Sequence, residues 1–98
     1  MLNNKEKIMN ELNKFNKDRN WGKSHTSVNL AKSITLEASE ILELYQWGTE
    51  CTDKENLAEE IADVAIYLLL LAQNNDIDID EAILSKIKKN AIKYPIKK

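Results

Sequence analysis

The sequence predicts an all-α protein, an antiparallel bundle of about four helices, and three observations carry that prediction. Only two glycines and one proline occur in 98 residues, so few positions favour a turn or forbid a helix. The intervening segments are rich in Leu, Ile, Ala, Glu and Lys, residues that lose little freedom in a helix. Apolar residues recur every three or four positions, which puts them on one face of a helix.

The first helix is expected from about Asn4 to Asp18, with Ile8, Leu12 and Phe15 on one face. Arg19 to Ser27 then forms a polar connection containing Trp21, Gly22 and His25. The second helix begins near Ser27, with Thr26 or Ser27 as N-cap, because a hydroxyl there accepts from a free N–H of the first turn. It is expected to run to Trp47, where Gly48 stops it. The third helix starts near Asp53 or Lys54 and continues to about Asn74, after which Asn75 to Asp78 break it. The fourth spans about Ile79 to Lys93, with Asp80 and Glu81 in its first turn and lysines in its last, as the helix dipole prefers. Pro95 ends it. Short connections between comparable helices are the signature of an antiparallel bundle.

A chain of this length, 43% hydrophobic and 31% charged, fits one domain over residues 1–98. So small a core without disulfides is expected to gain stability by self-association, with dimer and tetramer both left open. The sole cysteine, Cys51, has no second Cys for a disulfide and no nearby His to make a zinc site, which points to a reducing, cytoplasmic setting. The amino terminus has no apolar leader, and the longest apolar run, Val64 to Ala72, is far short of the roughly 20 residues of a membrane span. A net charge of -2 argues against binding a nucleic-acid polymer. Lys86, Lys88, Lys89, Lys93, Lys97 and Lys98 crowd the carboxyl end. They either face a phosphate chain beside the acidic middle of the sequence or simply complement the helix dipole.

On the second helix Leu30, Ile34, Ile41 and Leu44 form the apolar stripe; Glu37 falls inside it and Glu40 lies one turn on at its edge. On the third helix the expected stripe is Leu57, Ile61, Val64, Leu68 and Leu71, with Glu60, Asp63 and Tyr67 on one shoulder and Glu59 turned outward. Carboxylates on core-facing stripes are costly unless paired or bound to a metal. Each pair, Glu37 with Glu40 and Glu60 with Asp63, is spaced i, i+3 and shares a face. Four converging oxygen ligands suit Mg2+, with Mn2+ a possible substitute, and magnesium so held receives substrate phosphates. The alternative is that these acids form surface salt bridges with the first or last helix. A di-iron bundle is a poorer match, since it wants Glu-x-x-His pairs and the single histidine sits in a connection.

The text of the chain resembles the MazG-like all-α nucleoside triphosphate pyrophosphohydrolases, and within them the short branch that includes dCTP pyrophosphatases. The likeness runs through Phe15 to Trp21, His25, Asn29, Leu30 and Ala31, then Glu37, Glu40 and Tyr45 to Trp47, then Glu59 to Val64 and Tyr67. It closes with Ile77 to Ile79, Ala82, Lys86, Asn90 and Lys93-Tyr94-Pro95. The resemblance implies that Glu37, Glu40, Glu60 and Asp63 bind magnesium, that Trp21, His25 and Trp47 form the base-side pocket, and that Tyr67, Lys86, Asn90 and Tyr94 contact sugar or phosphates. From spacing alone Trp47 reads as core or interface packing, and Tyr67 as a packing tyrosine with its hydroxyl at the rim. Two positions depart from the family text: Ser27 replaces a common proline, and Asp76 a usual glycine before Ile-Asp.

The expected function is therefore magnesium-dependent hydrolysis of a nucleoside triphosphate between its α and β phosphates, on dCTP or modified deoxynucleotides, in cleansing the nucleotide pool. Glu37, nearest the apolar stripe, is the first choice for general base. The competing readings are a relative acting on dUTP or on many nucleotides, and a non-catalytic helical interaction module whose acids only keep one face soluble.

Overall fold

Helices α1 (Lys5–Asp18), α2 (Ser27–Glu43), α3 (Lys54–Asn74) and α4 (Ile79–Lys93) make up all the regular structure of residues 4–97, the part of the chain described by the computed structural model. Lys98 lies outside the described residues.

Local chemistry fixes the helix ends. The Thr26 hydroxyl accepts from the Asn29 N–H at 3.2 Å and opens α2. Asp53 accepts from the Asn56 N–H at 3.0 Å and opens α3. Asp78 Oδ1 accepts from both Asp80 and Glu81 N–H, at 3.1 and 3.2 Å, and opens α4. Each acceptor satisfies a donor the helix itself leaves unpaired.

Two helices close in the same way. After α1, Asn20 adopts φ 54°, its N–H donates to Lys17 O, and the Trp21 N–H reaches back to Asn16 O at 2.9 Å. After α3, Asp76 adopts φ 54°, its N–H donates to Gln73 O, and the Ile77 N–H reaches Ala72 O at 2.9 Å. This is the Schellman arrangement, which wants glycine or asparagine at the left-handed position. The glycine usual at position 76 in the resembling family thus has a physical reason, and Asp76 bears the steric cost of a Cβ there. Asp76→Gly is expected to stabilise the fold by about 0.5 to 1 kcal/mol, read as a rise in the midpoint of thermal unfolding.

The structure departs from the sequence expectation in two places. First, α2 ends at Glu43 rather than Trp47. Residues 44–48 continue as tighter turns, with N–H groups of Leu44, Tyr45, Gln46 and Gly48 each bonding three residues back, so the helical course persists without α geometry. Second, the fully buried face of α3 is Leu69 and Leu70, while Ile61 and Leu68, assigned to the stripe, are exposed. Positions 64–72 are apolar almost without interruption, so periodicity fixed no phase there.

The hairpin of α2 and α3 is the centre of the fold. Asn74 Nδ2 donates to His25 O at 2.8 Å and Asn75 Nδ2 to Ser27 Oγ at 3.0 Å, tying the start of α2 to the end of α3 and making the pair antiparallel. Leu30, at 1% exposure, joins Leu69 and Leu70 in its core. Helix α1 is held to α3 by a reciprocal amide pair between Asn13 and Gln73, at 3.1 and 3.0 Å. Lys5 ties it to the start of α4 through Asp78 at 3.4 Å and Asp80 at 3.1 Å. Leu84, Ile87 and Ile92 of α4 remain exposed. The radius of gyration is 16.1 Å, against about 13 Å for a compact domain of this length. No helix among the described residues is long and apolar enough to cross a membrane.

Candidate active site

The antiparallel hairpin brings the two acidic pairs together. Oxygens of Glu37 on α2 and of Glu60 and Asp63 on α3 all lie within 4.8 Å of one another, and all three side chains are half-buried. Glu40, one turn beyond Glu37 and more exposed, approaches closely enough to perturb both Glu37 and Glu60. Glu59 is exposed, away from the cluster, as the helical rotation requires. Among the described residues no Lys or Arg forms a salt bridge with any of the four acids, which removes the alternative that they serve ion pairs to α1 or α4.

Such a group is electrostatically unsettled. The Glu40 carboxyl, in hydrogen-bonding reach, is the main cause that lifts Glu60 to about 7; partial burial and the charges of Glu40 and Glu37 add to it. Glu37 is also raised, chiefly by Glu40 and then by burial and the charges of Glu40 and Asp63. Glu37 Oε2 and Glu60 Oε2 are shielded from solvent and have no hydrogen-bond partner. Two orphaned hard oxygens beside further carboxylates fit a divalent cation with oxygen preference, whose charge would remove the repulsion.

A pH dependence follows. Glu60 titrates near 7 in the folded chain against 4.5 in the unfolded one, so between those values the folded state holds the extra proton and stability falls as pH rises. The metal-free protein is therefore expected to melt lower at pH 7.5 than at pH 5, and magnesium to restore more of the loss at pH 7.5 than at pH 5. Thermal melts at the two pH values, with magnesium and with chelator, check this.

Beside the acids a cavity of about 450 Å3 opens between α1 and α3. Its rings form an arc: Phe15 meets Trp21 edge to face at 5.4 Å, Trp21 meets His25 at 6.2 Å, and His25 meets Tyr67 at 6.4 Å. Ile8, Leu12, Ile66 and Leu70 supply apolar wall. The Arg19 guanidinium covers the Phe15 ring at 3.6 Å. The Schellman closure of α1 sets Trp21 at the cavity edge, and the His25 carbonyl is anchored by Asn74. Asp63 belongs to both cavity and acid cluster, so a molecule stacked among the rings would extend its far end towards the carboxylates.

Of the side chains the sequence singled out, the four acids come together, and Trp21, His25 and Tyr67 line the cavity. Trp47 is 92% exposed and Tyr94 68%; neither lines it. Lys86 is exposed and Asn90 half-buried on α4, also outside the cavity walls. Lys93 lies over the Tyr94 ring at 5.4 Å. The cavity also takes in Phe15, Glu11 and Asn16, which sequence reasoning gave no site role. A signal existed for Asn16: it follows Ile8 and Leu12 at i, i+4, i+8, a polar residue on an apolar stripe like Glu37.

An acidic pair on each arm of a helical hairpin, opening onto an aromatic cavity, defines the class, and residues 32–98 match the MazG-like family. The chain belongs to that family. It is 32% identical over 91 residues to mouse dCTP pyrophosphatase 1, covering 84% of this chain and 54% of that protein. With the human dCTP pyrophosphatase 1 it shares 34% identity over 90 residues, 83% of this chain and 53% of the relative. The chain thus spans about half the length of the curated relatives it matches. A crystal structure of a pyrophosphatase from Archaeoglobus fulgidus superposes with a TM-score of 0.84 at 40% identity, covering 98% of this chain and 96% of that one.

Proposed function

We propose that residues 1–98 form one domain that hydrolyses nucleoside triphosphates, dCTP or modified deoxynucleotides foremost, to the monophosphate and pyrophosphate with magnesium. The observation that carries this reading is the joining of carboxylate cluster and aromatic cavity at Asp63. One end accommodates a flat base and the other suits a metal-bound phosphate chain. The names of the relatives, dCTP pyrophosphatases and a pyrophosphatase, support the same chemistry.

Glu37, Glu40, Glu60 and Asp63 would hold the metal. Magnesium so placed supplies positive charge against the triphosphate and the departing pyrophosphate. The chain's own groups do the rest. Trp21 and His25 hold the base by its faces, and Tyr67 contacts the sugar or phosphates. A water oxygen attacks the α phosphorus, the bond from that phosphorus to the α-β bridging oxygen breaks, and pyrophosphate leaves with the bridging oxygen. Glu37, the half-buried carboxylate of α2, accepts the proton of the water as general base. Lys86, Asn90 and Tyr94, on and just after α4, and Trp47, beyond α2, are assigned to substrate in the assembled protein.

Self-association as an even-numbered homo-oligomer belongs to the proposal. The chain exposes 8160 Å2, whereas a compact monomer of its mass exposes about 5,700 Å2. Exposed Ile61, Leu68, Leu84 and Ile87 are apolar positions that another copy would cover. A cytoplasmic nucleotide pool is the setting, in keeping with the free thiol of Cys51.

The test is pyrophosphate release from a panel of deoxynucleoside and ribonucleoside triphosphates, with magnesium and with chelator. Magnesium-dependent release, ranked with cytosine nucleotides first, is expected; a ranking led by dUTP would shift the substrate. No release from any nucleotide by the folded protein would leave a helical interaction module as the better reading.

A further inference from the structure

We infer that Asn16 is the residue that reads the edge of the base, and so sets which nucleotide this chain selects. The inference rests on the nucleotide-binding reading of the cavity given above. A base stacked among Phe15, Trp21 and His25 has its faces covered by rings, and rings accept any flat heterocycle. Discrimination must therefore come from a polar group at the edge, and it must be one with no partner of its own.

Asn16 meets both conditions. It is half-buried and lines the aromatic cavity as well as the adjoining amide-rich cleft of about 300 Å3. Its backbone carbonyl takes the Trp21 N–H at 2.9 Å, which pins Asn16 beside the indole. Its side-chain carboxamide makes no hydrogen bond among the described residues, whereas the neighbouring amides Asn13, Gln73 and Asn74 are all engaged. At the same wall His25 Nδ1 is also shielded from solvent and without a partner. The carboxamide offers a donor and an acceptor side by side. That pattern matches the edge of a pyrimidine, where a ring nitrogen stands next to an exocyclic amine in cytosine or to a carbonyl in uracil.

The experiment compares kcat/KM for dCTP and dUTP in the native protein, Asn16→Ala and Asn16→Asp. A bidentate edge contact discriminates by about 5- to 150-fold. Asn16→Ala is expected to lower kcat/KM for the preferred nucleotide within that range and to bring the two substrates towards equality. Asn16→Asp, which at neutral pH only accepts, meets one donor and one acceptor on either base, the amine and N3 of cytosine or the N3–H and O4 of uracil, and should likewise bring the two substrates towards equality. Retention of the native ratio within twofold by both variants would overturn the inference. An arm without turnover uses cytidine and uridine, which carry no phosphate and need no metal. One of them should shift the Asn16 side-chain amide resonances of the native protein, and that shift should weaken for the other. A nucleoside that binds without moving those resonances, or no binding by either, overturns the inference even in an active enzyme. The shift seen in a protein that hydrolyses nothing would uphold Asn16 and sink the hydrolase reading instead.

Discussion

Glu60→Gln is expected to lower magnesium-supported pyrophosphate release by about 10³-fold, because a metal clamp on a phosphoryl group loses charge stabilisation in the transition state when a ligand is neutralised. The same substitution should make the metal-free protein more stable at pH 7.5. Glu60 sits where Glu40 and Glu37 push its pKa to about 7, and an amide there carries no charge to repel. Below about pH 4.5 the native carboxyl is protonated in both folded and unfolded chains, so native and variant should melt alike. An active site that loses its chemistry while gaining stability is the mark of acids held together for a ligand. A surface role predicts neither effect. Turnover assays paired with melts at about pH 3.5 and 7.5 decide it, and a variant that keeps its activity or melts lower at pH 7.5 contradicts the assignment.

The second large effect is on the fold. Leu30→Ala is expected to cost about 3 kcal/mol, since the side chain is 1% exposed and its loss leaves a cavity in a hairpin core that cannot fully collapse. For a chain of this size that is a fall in melting midpoint of roughly 15 °C, measured at fixed protein concentration. Leu30 also lies two turns before Glu37 on the same helix. Loosening α2 against α3 should therefore weaken magnesium binding as well, through the spacing of Glu37 from Glu60. A drop in midpoint below about 3 °C would mean that the hairpin core lies elsewhere.

Much of this was legible in the sequence because it is local. Thr26 was readable as the N-cap of α2, the starts of α3 and α4 were placed beside Asp53 and Asp78, whose side chains the structure shows as caps, and Pro95 closes the last helix. The acidic cluster was legible for a different reason: Glu37 and the Glu60-Asp63 pair interrupt or flank apolar stripes, and a carboxylate seldom sits there without a partner. What failed was phase. In α3 the run through Leu68, Leu69, Leu70 and Leu71 is apolar on every side, so which leucines are buried depends on what α2 and α1 press against, which periodicity does not contain. Leu68 read as core for the same reason and Ile61 by its helical spacing from Leu57 and Val64, and the exposure of both in one chain agrees with the proposed self-association. The cavity was half legible. Trp21, His25 and Tyr67 gained site roles through family likeness; Asn16 stood on the apolar stripe of α1, but its place in the cavity depends on the Schellman turn that folds Trp21 back onto it.

Hydrolysis at the α phosphorus leaves an isotopic signature in its products. The protein is incubated with dCTP and magnesium in water enriched in 18O, and the products are resolved by phosphorus NMR or mass. Hydrolysis there yields dCMP and pyrophosphate in equal amounts, with the label on the phosphate of dCMP. Label in pyrophosphate, release of orthophosphate with dCDP, or intact dCTP after long incubation with folded protein would contradict it.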